Sequence, residues 1–173
     1  MVAVQGSTSL TPHLSTQDWQ WRDYSIRYTI QGEGDLPLLL LHGFGASLGH
    51  WQKNISVLAA AGYRVYALDL LGFGGSAKPP LDYTVELWVE LIQDFWAAQI
   101  QKPMVLVGNS IGGLLSLMVL AQTPELAIGG VLINCAGGLN HRPDELNFPL
   151  RLMMGAFTQV VRSPWLGPFM FDR

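Results

Sequence analysis

The sequence predicts an α/β fold, a mostly parallel, doubly wound sheet with helices on both faces. Short apolar runs closed by glycine alternate along the chain with segments whose apolar residues recur at helical spacing. The run "LPLLLLHG" is apolar at every strand position, as expected of a strand buried on both faces. The run "LVGNSIGG" sets one serine among glycines where an apolar strand passes straight into an apolar helix.

Each element follows in order. Residues 1–17, "MVAVQGSTSLTPHLSTQ", are polar and rich in Ser and Thr. They lack the basic start and apolar centre of a secretory signal, so a loose N-terminal tail is expected. "DWQWRDYSIRYTIQGEGD" carries β-formers and ends at Gly32 and Gly34, which predicts a pair of antiparallel strands. "LPLLLLHG" is the next strand. Leu48, Trp51, Ile55, Leu58 and Ala59 mark a helix that Gly62 stops. "YRVYALDL" is a strand, and Pro79 and Pro80 keep the following "GFGGSAKPP" a loop. Val85, Trp88, Leu91, Ile92, Phe95 and Trp96 form the apolar stripe of a second helix. "PMVLVGN" is a strand, "SIGGLLSLMVLAQ" a helix apolar almost all round and therefore expected to be buried, and "IGGVLINCA" a strand. The core is thus expected over residues 18–136. Residues 137–173, rich in Pro, Gly, Met and Phe, read as an excursion from the sheet.

Composition bounds the function. The 173 residues suffice for one domain with a real core. Charged residues are 13% of the chain, against about 25% in an average domain. The net charge of −3 leaves no polybasic footprint for nucleic acid. A single cysteine, Cys135, excludes an internal disulfide and fits a reducing, cytoplasmic compartment. The most apolar window, Met104 to Ala121, holds Gly108, Asn109, Ser110, Gly112 and Gly113 at its centre. That reads as strand, turn and helix, and no membrane span is expected.

The chemistry centres on Ser110. In an open parallel sheet, ligands gather at the carboxyl ends of the strands, where Ser110 falls. Gly108-Asn109-Ser110-Ile111-Gly112 is a G-x-S-x-G pattern, whose glycines relieve crowding in a tight strand-to-helix turn. The helix amino end adds partial positive charge. An oxyanion hole needs two converging N–H groups. Ile111 supplies one, and the loop His42-Gly43-Phe44-Gly45 supplies the other at Phe44. His42 is read as a brace for that loop rather than as a base.

Together "LLLLHGFGAS", "YALDLLGFGGS" and "VLVGNSIGG" resemble the α/β-hydrolase fold superfamily. The likeness covers about Trp21 to Ala136, and residues 137–173 resemble the start of that family's cap. The segment looks like the α/β hydrolases of cyanobacteria and chloroplasts, including relatives of pheophytinase. "GNS-x-GG" also resembles carbon–carbon bond hydrolases of aromatic ring-cleavage pathways. Haloalkane dehalogenases and epoxide hydrolases carry aspartate at the nucleophile position, and Ser110 argues against both. The resemblance places Asp69 to Ser76 as the family's Asp-x-x-Gly-x-Gly-x-Ser turn, with Asp69 a structural hydrogen-bonding residue. The same loop mimics a dinucleotide fingerprint through Gly72, Gly74 and Ala77, but Pro79 and Pro80 deny it the helix that such a site needs. No cofactor is expected. His13, His50 and His141 are scattered, so no metal is expected either. Trp51, Trp88 and Trp96 read as core.

Serine needs a base, and the superfamily's order is serine, acid, histidine. After Ser110 the chain offers only His141, with Asp144, Glu145 and Asp172 nearby in the tail. The fold is therefore expected to be truncated within the cap region, with acid and base beyond Arg173 and this chain alone inactive. The expected function is a serine hydrolase acting through an acyl-enzyme at Ser110 on a carboxylic ester or related acyl bond. A lipophilic small molecule is the expected substrate, given Met153, Met154, Phe157, Trp165, Phe169 and Phe171. The alternatives are carbon–carbon bond hydrolysis and ligand binding without catalysis. Oligomeric state is left open.

Overall fold

The computed structural model describes residues 14–136. Within them six strands form one sheet in the order β1-β2-β4-β3-β5-β6. β1 (Gln17–Trp21) and β2 (Tyr24–Gln31) make the expected hairpin, turned at Arg22, whose φ is 54°. β2 then pairs antiparallel with β4 (Arg64–Leu68) rather than with β3 (Pro37–Leu41), its neighbour in sequence. β3 pairs parallel with β4 on one side and with β5 (Met104–Asn109) on the other. β6 (Ala127–Ile133) is parallel to β5 and forms one edge of the sheet among the described residues, β1 the other.

Strand alternation divides the core into two layers. Leu38, Leu40, Val65 and Ala67 face α1 (Gln52–Ala60), where they meet Trp51 and Ile55. Leu39, Leu41, Tyr66, Leu68 and Leu106 face the other way, toward α2 (Val85–Phe95) and α3 (Ile111–Gln122). The sheet is thus mostly parallel, with helices on both faces. Phe95, fully buried on α2, meets Trp19, Tyr28 and Tyr66 edge-on. Thr84 caps α2, its hydroxyl accepting the Leu87 N–H at 3.1 Å.

Local punctuation explains the boundaries. Gly62, with φ at 90°, ends α1 as expected. No helix starts after β4 until Val85, past Pro79 and Pro80. The α2 stripe does run to Trp96, but there the backbone widens into a π-turn, Trp96–Ile100, which Gln101 closes at φ 56°. Trp51 and Trp88 are buried, while Trp96 is half-buried against the core. α3 departs from the expectation of a helix buried all round, since Leu117 is 47% exposed. The helix packs only its Gly112, Gly113, Leu115, Ser116 and Val119 side inward. β1 begins at Gln17, and Ser15 already accepts a hydrogen bond from Thr29 Oγ1 at 2.6 Å. Residues 1–13 of the tail expected over 1–17, and the expected cap over 137–173, lie outside the described residues, as do His13, His141, Asp144, Glu145, Asp172 and the Met, Phe and Trp side chains of 137–173.

Candidate active site

Register brings the site together. β3 and β5 are parallel neighbours, and Leu41 pairs with Gly108. The loop that follows Leu41 and the turn that follows Asn109 therefore leave the same end of the sheet side by side. Gly43 lies so close that a Cβ there would sit 3.3 Å from both Ser110 Cβ and Asn109 Nδ2.

Ser110 occupies a single-residue turn between β5 and α3, with φ 55° and ψ −116°. That backbone is uncommon for any residue with a Cβ and is held only by its surroundings. The surroundings are explicit. Ser110 N–H donates to the Ile133 carbonyl at 2.9 Å. Its carbonyl accepts N–H groups from Gly113 at 3.0 Å, Leu114 at 3.2 Å and Ala136 at 3.1 Å. The flanking glycines allow the turn to close. A Cβ on Gly108 would overlap the Gly112 carbonyl oxygen, and one on Gly112 would overlap the Leu41 carbonyl oxygen. Ile111 opens α3, so its N–H has no intrahelical acceptor. Ser110 itself is partly exposed.

His42 is fully buried, and backbone groups occupy both of its ring nitrogens. Nε2 accepts the Leu70 N–H at 3.0 Å, which makes Nδ1 the protonated nitrogen that donates to the Gly43 carbonyl at 2.8 Å. Burial holds the imidazole pKa below its ordinary 6.5, against smaller opposing effects from the Gly43 carbonyl and Asp69. The Phe73 ring stands edge-on between the rings of His42, at 5.7 Å, and Phe44, at 5.2 Å. Phe44 is 51% exposed, an apolar ring at the same end of the sheet as Ser110.

Asp69, just past β4, is 2% exposed. Its carboxylate accepts the Leu48 N–H at 2.6 Å and the Gly75 N–H at 2.7 Å. Its own carbonyl accepts the Ser76 hydroxyl at 2.7 Å. Gly74, with φ at 52°, carries no side chain where the Asp69 carboxylate lies. The family resemblance implies a hydrogen-bonding role for Asp69, but its partners Leu48 and Gly75 carry no sequence signal of their own. The Asp69-to-Ser76 pattern was the available signal. Among the described residues no group of three His, Cys, Asp or Glu side chains is arranged to hold a metal ion.

Residues 38–173 match the model of the Alpha/beta hydrolase family. The chain belongs to this family. Among its relatives is the 2-hydroxy-6-oxo-6-(2'-aminophenyl)hexa-2,4-dienoic acid hydrolase of Metapseudomonas resinovorans, 41% identical over 115 residues, which cover 64% of this chain and 39% of that protein. The 1-acylglycerol-3-phosphate O-acyltransferase ABHD5 of Homo sapiens is 34% identical over 125 residues, 70% of this chain and 35% of its own length. This family member thus spans about two fifths or less of the curated relatives it matches. A membrane phospholipase A described as a bacterial virulence factor shares its fold with a TM-score of 0.68 and 29% identity, covering 91% of this chain and 56% of that one. Among the described residues no helix is long and apolar enough to cross a membrane.

Proposed function

We propose that this α/β hydrolase cleaves a carboxylic ester or related acyl bond of a lipophilic small molecule, with Ser110 as nucleophile. The observation that carries the reading is the Ser110 turn, a positive-φ serine at a strand end and a helix start, packed against the Gly43 loop. In this reading Ser110 Oγ attacks the acyl carbonyl carbon and its proton passes to a base. The carbonyl oxygen becomes an oxyanion held by the N–H groups of Phe44 and Ile111, at the positive end of the α3 dipole. The alcohol leaves with the proton, and water then releases the acid from Ser110. Each oxyanion donor in comparable sites is worth about 10²–10³ in kcat. Acid and base come from outside residues 14–136. The half-exposed Phe44 ring supports an apolar substrate, since it offers water-exposed apolar surface, favourable to bury, at the same end of the sheet as Ser110.

The test uses the native protein isolated from its source. A fluorophosphonate should label Ser110, and Ser110→Ala should abolish both labelling and turnover of aryl esters. Turnover that survives Ser110→Ala would overturn the reading. Tight ligand binding without labelling would instead identify a binding protein.

The 41% identity to a hydrolase of a hydroxy-oxo-dienoic acid favours a second reading, carbon–carbon hydrolysis, in which a ketone carbonyl takes the place of the ester. Vinylogous diketones and aryl esters assayed side by side separate the two.

A further inference from the structure

The loop Gly43–Ser47, which carries Phe44, is pinned at both of its ends by consecutive residues of another loop. At its start, the His42 ring accepts the Leu70 N–H at 3.0 Å. At its finish, the Leu48 N–H donates to the Asp69 carboxylate at 2.6 Å. Between the pins the loop makes a turn of its own, Ala46 N–H to Gly43 carbonyl at 3.2 Å, with Gly45 at φ 71°. The second Asp69 oxygen is held by Gly75 N–H at 2.7 Å, so the carboxylate cannot swing away from Leu48 without losing that bond. A buried carboxylate that accepts two N–H donors makes strong, charge-assisted bonds and fixes both donors in place.

We infer that Asp69 is a positioning residue for the proposed reaction, setting the height of the Phe44 N–H above Ser110 by holding the far end of its loop. The inference rests on the reading of Phe44 N–H as an oxyanion donor. It goes further than a structural turn, because the carboxylate joins two loops, one of which abuts Ser110. A donor that must lie within hydrogen-bond range of the oxyanion loses its effect after a shift of about 1 Å.

Asp69→Asn is the test. The amide keeps the shape but presents one acceptor and one NH2, and the NH2 would face a second donor at Leu48 or Gly75. Amide hydrogen exchange in the native protein reads the clamp without reference to activity. The Leu48 and Gly75 amides should both exchange slowly in wild type, and at least one of them much faster in Asp69→Asn. Rapid exchange already in wild type, or unchanged exchange in the variant, overturns the clamp, and the wild-type measurement stands even where the variant fails to fold. Kinetics read the positioning. Asp69→Asn should lower kcat by about 10-fold to 100-fold with KM little changed, and should weaken a boronic acid, an oxyanion mimic, more than a ground-state product. Ile100→Ala, which hollows the core ahead of the amino end of β5, at the other end of that strand from Ser110, should lower stability and leave kcat unaltered. Faster exchange with unaltered kcat, or equal loss of kcat in Ile100→Ala, overturns the positioning role. Absence of any Ser110-dependent turnover in wild type would overturn the proposed function and the positioning role with it, while the exchange result would still report on the clamp.

Discussion

Gly108 and Gly112 meet face to face across the Ser110 turn, so that a methyl group on Gly108 would overlap the Gly112 carbonyl oxygen. The obstacle is backbone on both sides, which cannot rotate away. Gly108→Ala should therefore destabilise the fold by about 1–3 kcal/mol, the usual range for overpacking. Gly43→Ala meets a gentler contact, 3.3 Å to Asn109 Nδ2 and Ser110 Cβ. Gly43 is buried, but its neighbours need give only a few tenths of an ångström, so the variant should cost less than Gly108→Ala, below about 1 kcal/mol, yet lower turnover, because one displaced neighbour is Ser110. Urea unfolding of both variants, with ester assays of Gly43→Ala, checks the contrast.

The strained serine makes its own prediction. At φ 55° Ser110 sits where glycine is at ease and every side chain is not. Ser110→Ala keeps the strain and should leave the unfolding midpoint near that of wild type. Ser110→Gly releases it, partly offset by the greater freedom of glycine in the unfolded chain, and should be the more stable by about 1 kcal/mol. Equal midpoints for the two variants would mean that the turn holds no strain. Both variants lose the hydroxyl, so the comparison is free of any change in chemistry.

Particular residues show why some of this was legible in the sequence and some was not. β3 could be read because all five of its residues are apolar and all are buried. The end of α1 could be read from Gly62, and the Ser110 turn from its flanking glycines, because steric demands leave a residue-type signature. The exposed side of α3 leaves no sequence signal, because its apolar residues run all round and composition cannot say which side a sheet will cover; Leu117 faces out. The pairing of β2 with β4 instead of β3 leaves no local trace, since it is decided by which faces the helices cover. The Asp69 contacts were legible by half. The pattern from Asp69 to Ser76 marks a turn, and Gly74 marks the room that the carboxylate needs. Leu48 donates through its backbone N–H, which every residue but proline has, so nothing in its side chain advertises the bond. The same holds for Leu70 and the His42 ring.

His42 carries a pH dependence with a definite sign. Burial holds its folded pKa below the ordinary 6.5, and Nε2 must stay unprotonated to accept the Leu70 N–H. The charged groups that act on it are Asp69, which favours the proton, and His50, which opposes it. As pH falls below about 6.5, the unfolded chain takes up a proton that the folded chain refuses, so stability declines. The slope contributed by this group reaches at most about 1.4 kcal/mol per pH unit and vanishes above neutrality. His42→Gln cannot titrate, and its stability should lack this component. The difference in unfolding free energy between wild type and His42→Gln should therefore be constant from pH 7.5 to 8.5 and shrink steadily from pH 6.5 to 5. Denaturant unfolding at each pH measures it. A difference that grows on acidification would place the proton on the folded imidazole and contradict the bond from Leu70.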